Sequence, residues 1–96
     1  MKILAADIGG TYSRFGLFLW ENRKLSLAVE KVFPSNGSDF GGLLASLVED
    51  WRSFGAADAH MVAFAAAGPL RGTRIDMTNA GLSIDGSAAR KRFPDA

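Results

Sequence analysis

The first third of the chain shows the apolar patterns of β-strands, first a continuous apolar run and later an alternation of apolar and polar positions. The apolar run Lys2–Asp7 is typical of a central strand that is covered on both faces. A second strand is predicted over Arg14–Leu19. In residues 25–33, smaller or polar residues alternate with Leu25, Leu27 and Val29, the period of a half-buried strand. The pattern therefore predicts a hairpin and a third antiparallel strand.

After Pro34 the period of the apolar residues changes from that of a strand to that of a helix. The repeat predicts one helix within residues 39–53, capped at its start by Ser38 or Asp39 and closed by Gly55. Its apolar stripe, at positions i, i+3, i+4, i+7, i+8 and i+11, consists of Phe40, Leu43, Leu44, Leu47, Val48 and Trp51. We expect this stripe to lie in the core.

The remaining elements are shorter. Met61–Ala67 is predicted as a buried fourth strand of mostly small residues, and Arg71–Met77 as a short strand. The crossover from the third strand to the fourth suits a right-handed strand–helix–strand unit, so the fourth strand should pair parallel to the first. Asp85 is expected to cap a last helix over Gly86–Phe93. The predicted fold class is α/β.

Length and charge set limits on function. The 96 residues make one small domain, and a formal net charge of +1 gives no electrostatic case for binding nucleic acid. A solvated face accounts for the basic residues Arg71, Arg74, Arg90, Lys91 and Arg92. The absence of cysteine, of an apolar run of membrane-spanning length and of a signal-peptide layout favours a cytoplasmic protein that does not enter a membrane.

The turn between the first two strands carries the most chemistry. Gly9 and Gly10 can adopt positive φ and allow close approach of a ligand, and the successive amides of such a turn can bind an anion. Thr11 adds a hydroxyl. A buried, unpaired carboxylate on Asp7 would be unfavourable, whereas a Mg²⁺ ion beside phosphate would stabilise it. The alternative is an ordinary hairpin, since Gly-Gly is a frequent hairpin turn.

This turn resembles a known motif. Asp7-Ile8-Gly9-Gly10-Thr11, followed by Arg14, resembles the first phosphate loop of bacterial glucokinases, members of the sugar kinase, hexokinase, Hsp70 and actin superfamily. A second similarity comprises Ala67-Gly68-Pro69-Leu70, Thr78-Asn79 and Ser83-Ile84-Asp85 in the family's order. The chain departs from the family at Tyr12, usually Asn, and at Leu82, usually Trp.

The resemblance implies a fold and an activity. It implies part of the N-terminal lobe of a ribonuclease H-like, actin-like ATPase fold, in a kinase that transfers the ATP γ-phosphate to the 6-hydroxyl of glucose or a related hexose. ATP would contact Asp7, Ile8, Gly9, Gly10, Thr11 and Arg14. Asp7 would hold Mg²⁺ through water, and Asn79 would bind the sugar. The catalytic base of the family would lie downstream of Ala96, so the chain alone is expected to be inactive.

Several alternatives remain open at this stage. Asn79 can equally hold a turn, and the single histidine, His60, is better explained as a structural or exposed residue than as a catalytic one. The chain could also be a non-catalytic nucleotide- or sugar-binding module derived from a sugar kinase. We expect it to self-associate, as a homodimer or otherwise, through apolar surface at Met61–Ala67 and Leu82–Ile84.

Overall fold

The computed structural model describes residues 1–35, 39–66, 70–72, 74–77, 82–94 and 96. The strands are β1 (Lys2–Ile8), β2 (Tyr12–Glu21), β3 (Lys24–Pro34), β4 (Met61–Ala66), β5 (Leu70–Arg71), β6 (Arg74–Met77) and β7 (Leu82–Asp85). The helices are α1 (Phe40–Asp50) and α2 (Gly86–Arg92), with short 3₁₀ turns at Arg52–Phe54 and Ala56–Asp58. The α/β content agrees with the predicted class.

The larger sheet is mixed. Its strand order is β3-β2-β1-β4; β1 pairs antiparallel with β2, β2 pairs antiparallel with β3, and β1 pairs parallel with β4. The parallel register runs from Ile3 opposite Met61 to Ile8 opposite Ala66. A second, smaller antiparallel sheet has the order β5-β6-β7. The predicted strand Arg71–Met77 is therefore divided between β5, which ends at Arg71, and β6, which begins at Arg74; Gly72, after β5, is in the left-handed region (φ 62°).

The core lies between one face of the larger sheet and α1. Alternate residues of β1 and β2 are buried there, together with the apolar face of the predicted helix: Leu4, Ala6, Ile8, Phe15, Leu17, Phe40, Leu44 and Leu47. Asp39 caps α1 by accepting a hydrogen bond from the Gly42 N–H at 3.1 Å. Gly55 does not close α1, because the helix ends at Asp50; Gly55, at φ 76°, instead follows the 3₁₀ turn Arg52–Phe54.

A bulge divides β3 and changes which of its residues are buried. Leu17 pairs with Val29, but the next residue, Phe18, pairs with Leu27. The face therefore switches at Ala28, so Val29 packs against the core, while Leu25 and Leu27 are 58% and 48% exposed. The expectation that Leu25, Leu27 and Val29 share one buried face is wrong. Leu25 and Leu27 instead lie on the sheet face opposite α1.

The second sheet and α2 close one end of the core. Asp85 caps α2, accepting a hydrogen bond from the Ser87 N–H at 2.9 Å, as the sequence predicts. Ile84, only 3% exposed, and Phe93 belong to the core cluster. Ile84 therefore cannot contribute to the exposed apolar surface expected at Leu82–Ile84. Within the described residues, no helix is both long enough and apolar enough to cross a membrane.

Candidate functional site

The glycine turn joins β1 to β2 as a strand-to-strand hairpin. Ile8 ends β1, Tyr12 begins β2, and the Gly9 N–H closes the turn by donating to the Tyr12 carbonyl at 3.0 Å. We call residues Gly9–Thr11 the glycine loop. The Ile8 side chain is buried in the core, so only its backbone is positioned to face a ligand at this loop.

The two glycines serve different purposes, and neither has positive φ. The expected left-handed conformation is therefore absent from Gly9 and Gly10. A Cβ on Gly9 would lie 2.8 Å from the Tyr12 carbonyl oxygen, so the tight turn itself excludes a side chain there. A Cβ on Gly10 would meet no atom within 4 Å. The space over Gly10 leaves the backbone open to a close-approaching ligand.

The amides of Gly10 and Thr11 are available to a ligand. Both residues are exposed, and no hydrogen bond formed within the described ranges uses either N–H group. Two successive backbone N–H groups in a turn form a concavity with positive partial charge that suits an anion such as phosphate. The Thr11 hydroxyl adds a third donor at the same loop.

Asp7 and Arg14 flank the glycine loop on the sheet face opposite α1. The two residues are directly opposite each other across β1 and β2, and both are exposed. The argument that Asp7 is a buried carboxylate is therefore wrong, because its burial imposes no cost that a metal must offset. Both side chains line a depression of about 220 Å³ that Glu30 and Phe18 also border.

The donor set suits Mg²⁺ only if phosphate supplies further ligands. Among the residues that the structure describes, no group of three or more His, Cys, Asp or Glu side chains could hold a metal ion. Mg²⁺ characteristically binds one or two carboxylates while keeping several waters and contacting substrate phosphates. An exposed Asp7 carboxylate two residues before the glycine loop fits this chemistry.

A buried pair of serines beneath the glycine loop was missed by sequence reasoning. The Ser13 and Ser35 hydroxyl oxygens are 2.6 Å apart, and the Ser35 hydroxyl donates to the Gly9 carbonyl at 2.6 Å. The Ser35 N–H also donates to the Thr11 carbonyl at 2.9 Å. One signal was present in the sequence: by strand alternation Ser13 occupies an inward position alongside Phe15 and Leu17.

The other residues singled out from the sequence have simpler outcomes. His60 has a structural part. Its Nδ1 accepts a hydrogen bond from the Lys2 backbone N–H at 3.0 Å, and the His60 backbone N–H donates to the Lys2 carbonyl at 2.9 Å. These bonds join the starts of β1 and β4. Asn79 lies outside the described residues, as do Ala67-Gly68-Pro69, Thr78 and the alternative cap Ser38.

Comparison with known proteins identifies related sequences. The sequence model of the glucokinase family matches residues 4–94. A glucokinase from Marinobacter nauticus is 34% identical over 90 residues, which are 94% of this chain and 27% of that protein. The chain thus spans only about a quarter of the length of this relative.

Solved structures share the fold. The crystal structure of a glucokinase from an Antarctic psychrotroph superposes with a TM-score of 0.77 at 24% identity, over 97% of this chain and 29% of that one. A candidate sugar kinase from Cytophaga hutchinsonii gives a TM-score of 0.60 at 22% identity, over 99% of this chain and 34% of that one. At these identities the two likenesses concern the fold.

Proposed function

Because the chain belongs to the glucokinase family, we propose that it is the phosphate-binding part of a sugar kinase. The reaction is transfer of the ATP γ-phosphate to the 6-hydroxyl of glucose or a related hexose. The observation that carries this proposal is the pair of exposed, unused amides at Gly10 and Thr11, which begin three residues after an exposed Asp7. This combination supplies an anion site and a carboxylate for the metal that accompanies nucleotide phosphates.

Four residues of the site have a proposed part in binding, whereas the expected Gly9 amide contact is wrong because the Gly9 N–H is donated to the Tyr12 carbonyl. The Gly10 and Thr11 amides, with the Thr11 hydroxyl, donate hydrogen bonds to phosphate oxygens. Arg14 supplies positive charge from the adjacent strand, and Asp7 holds Mg²⁺ through water. Phosphoryl transfer depends mostly on positioning and on stabilising charge, so a rigid set of donors suits the reaction. A Mg²⁺ ion held there would neutralise part of the phosphate charge.

The proposed architecture is part of the N-terminal lobe of a ribonuclease H-like, actin-like ATPase fold. The mixed sheet β3-β2-β1-β4, with α1 in the crossover, is the observation that supports it. The proton acceptor for the sugar hydroxyl is proposed to lie outside these 96 residues. Two acids in the second half of the chain already have partners: Asp85 caps α2, and Asp76 accepts from Arg74 Nε at 3.0 Å.

The test of the phosphate site is a titration of the ¹⁵N-labelled chain with ATP and Mg²⁺, followed by NMR. Shift changes should centre on residues 7–14, with Gly10 and Thr11 among the largest. Changes centred instead on the exposed basic residues 90–92 of α2 would show charge attraction alone, and would reject the glycine loop as the phosphate site.

We also propose that the chain forms a homodimer through the outer edge of β4. Neither outer edge of the β3-β2-β1-β4 sheet is paired within the described residues. The β3 edge carries Lys24, Glu30 and Lys31 and ends at Pro34, features that discourage edge-to-edge pairing. The β4 sequence, Met-Val-Ala-Phe-Ala-Ala, contains neither charge nor proline. The occupant that suits this edge is a second copy of β4.

A two-fold axis through Ala63 gives the register of this pairing. Ala63 would then face its own copy, and Val62 would face Phe64. Residues that face each other across a sheet point to the same side, so this register keeps α1 of both copies on one face. Val62 and Phe64, which pack against the core of each copy, would then form a continuous layer across the pair.

A further inference from the structure

Three strand ends meet at the buried serine pair. Gly9 follows β1, Ser13 lies near the start of β2, and Ser35 follows β3. Both serine residues are almost fully buried, at 1% and 0% exposure. A buried hydroxyl without a partner is unfavourable, and both of these hydroxyl groups have hydrogen-bond partners. No buried side-chain oxygen or nitrogen in the described part of the chain lacks a partner.

The direction of the hydrogens can be assigned from the partners. The Gly9 carbonyl is an acceptor only, so the single hydroxyl hydrogen of Ser35 is donated to it. The bond between the two hydroxyl groups must then run from Ser13 to Ser35, because Ser35 has no second hydrogen to give. The result is a chain of hydrogen bonds in which Ser13 donates to Ser35 and Ser35 donates to the Gly9 carbonyl.

The same serine also fixes the far side of the glycine loop. The Ser35 backbone N–H donates to the Thr11 carbonyl, so one residue binds the carbonyls of both Gly9 and Thr11. The bond to the Gly9 carbonyl fixes the Gly9–Gly10 peptide plane directly, and the Gly10–Thr11 plane is held between that plane and the fixed Thr11 carbonyl. Those planes carry the N–H groups of Gly10 and Thr11, the two amides that no other described group uses.

We propose that Ser35 is a positioning residue, which holds the glycine loop rigid with its amides free for phosphate, and that Ser13 in turn holds Ser35. This inference rests on the proposed phosphate site, but the order of the loop can be measured without any ligand. Donors that are fixed before binding bind more tightly, since no ordering entropy is lost when the ligand arrives. A serine is needed at 35 because an alanine retains the N–H but loses the hydroxyl.

The test compares four variants of the ¹⁵N-labelled chain: Ser35→Ala, Ser35→Thr, Ser13→Ala and Val29→Ala. Val29 packs against the core from β3, away from the loop, so Val29→Ala is a control for general destabilisation. Heteronuclear NOE values of Gly10 and Thr11 report the order of the loop without ligand. The affinity for ATP in the presence of Mg²⁺ is then measured from the chemical-shift changes of the same two amides.

Ser35→Ala should lower both NOE values and weaken nucleotide binding by about tenfold. Ser35→Thr, which keeps a hydroxyl, should recover part of both losses, and Ser13→Ala should give a smaller loss than Ser35→Ala. Val29→Ala should change neither. If Ser35→Ala fails to fold, Ser13→Ala decides the question, because lowered NOE values would support the positioning role and unchanged values would overturn it.

Two results separate this inference from the proposed function. Unchanged NOE values in folded Ser35→Ala or Ser13→Ala would overturn the positioning role and leave the serines as ordinary core residues. The NOE values of the loop could instead fall in the variants as expected while the wild-type chain binds no nucleotide. That result would support the positioning role and reject the phosphate site.

Discussion

Asp7 lies directly opposite Arg14 across the antiparallel pair β1 and β2, immediately beside the glycine loop. Both side chains are exposed on the sheet face opposite α1, and no ion pair within the described residues joins them. An acid and a base in this arrangement remain available to different ligands. If the proposed function holds, Arg14 contacts a phosphate oxygen and Asp7 a hydrated cation, so together they would favour a metal–nucleotide complex over either component alone.

The first prediction concerns Asp7. Asp7→Asn should remove most of the increase in ATP affinity that Mg²⁺ gives the wild type, while ATP alone binds as well or slightly better. The reason is that the amide cannot neutralise the cation and no longer repels phosphate. Isothermal titration of ATP with and without Mg²⁺ measures both values.

The control is Glu21→Gln, which makes the same charge change at the other end of β2. It should leave both affinities unchanged. If Asp7→Asn and Glu21→Gln behave alike, Mg²⁺ is not held by Asp7.

The second prediction separates the two glycines. Gly9→Ala should destabilise the fold by about 1–3 kcal/mol, because its Cβ would lie 2.8 Å from a backbone oxygen that cannot move independently. Gly10→Ala should leave stability unchanged or raise it by about 0.4–1 kcal/mol, since its backbone is not left-handed and the space is open.

The two variants should also differ in binding. Gly10→Ala should weaken phosphate binding although it folds normally, because the new methyl group occupies the approach to the amides. Urea unfolding and NMR titration with ATP and Mg²⁺ give the two quantities. Normal binding by a folded Gly10→Ala chain would contradict close approach of phosphate at this position.

Local periodicity predicts the elements of the fold better than it predicts their faces. The apolar stripe of α1 is decisive because eleven positions sample three turns of a helix, and Asp39 marks its start. The strand alternation in β3 failed at Ala28, because a bulge is decided by the pairing partner β2 rather than by the sequence of β3.

The candidate site shows a similar division. Asp7, Gly9, Gly10 and Thr11 lie within five consecutive residues, so their chemistry could be deduced from their order. Ser35 lies 26 residues from Gly9, and only the three-strand register brings its hydroxyl beneath the loop. The exposure of Asp7 was also beyond the pattern, since an apolar run does not tell which face of a sheet is covered.

The third prediction tests the core. Leu47→Ala should destabilise the chain by about 2–5 kcal/mol, because Leu47 is 1% exposed and its removal leaves a cavity between α1 and the sheet. Leu25→Ala removes the same atoms from a side chain that is 58% exposed, and should change stability by less than about 0.5 kcal/mol. Chemical denaturation of both variants measures the difference, and equal losses would contradict the assigned faces of β3 and α1.

The fourth prediction tests the β4 dimer. Ala63→Lys should convert the chain to a monomer in sedimentation experiments, because a charged residue at the centre of an edge strand opposes pairing with its own copy. Val32→Lys, on the exposed face of the opposite edge strand, should leave the dimer intact.

The register of the dimer can be checked with a disulfide, since the chain has no cysteine of its own. Ala63→Cys should cross-link two copies on mild oxidation, because residues facing each other across paired strands lie within the Cα range of about 4.4–6.8 Å for a disulfide. Val32→Cys should cross-link much more slowly. A wild-type chain that sediments as a monomer at every concentration would refute the dimer and its register together.

The last prediction is that the chain alone does not phosphorylate glucose above background. A sugar hydroxyl is a poor nucleophile, and a positioned base typically contributes about 10²–10⁴ in rate. Asp76 is engaged with Arg74, Asp85 caps α2, and Asp7 lies near the glycine loop, the proposed phosphate site. Without a base, ATP bound at the glycine loop should stay intact in a coupled assay with Mg²⁺ and glucose. Turnover that an Asp7→Ala variant abolishes would place a complete active site within these 96 residues and overturn the proposal that the base lies outside them.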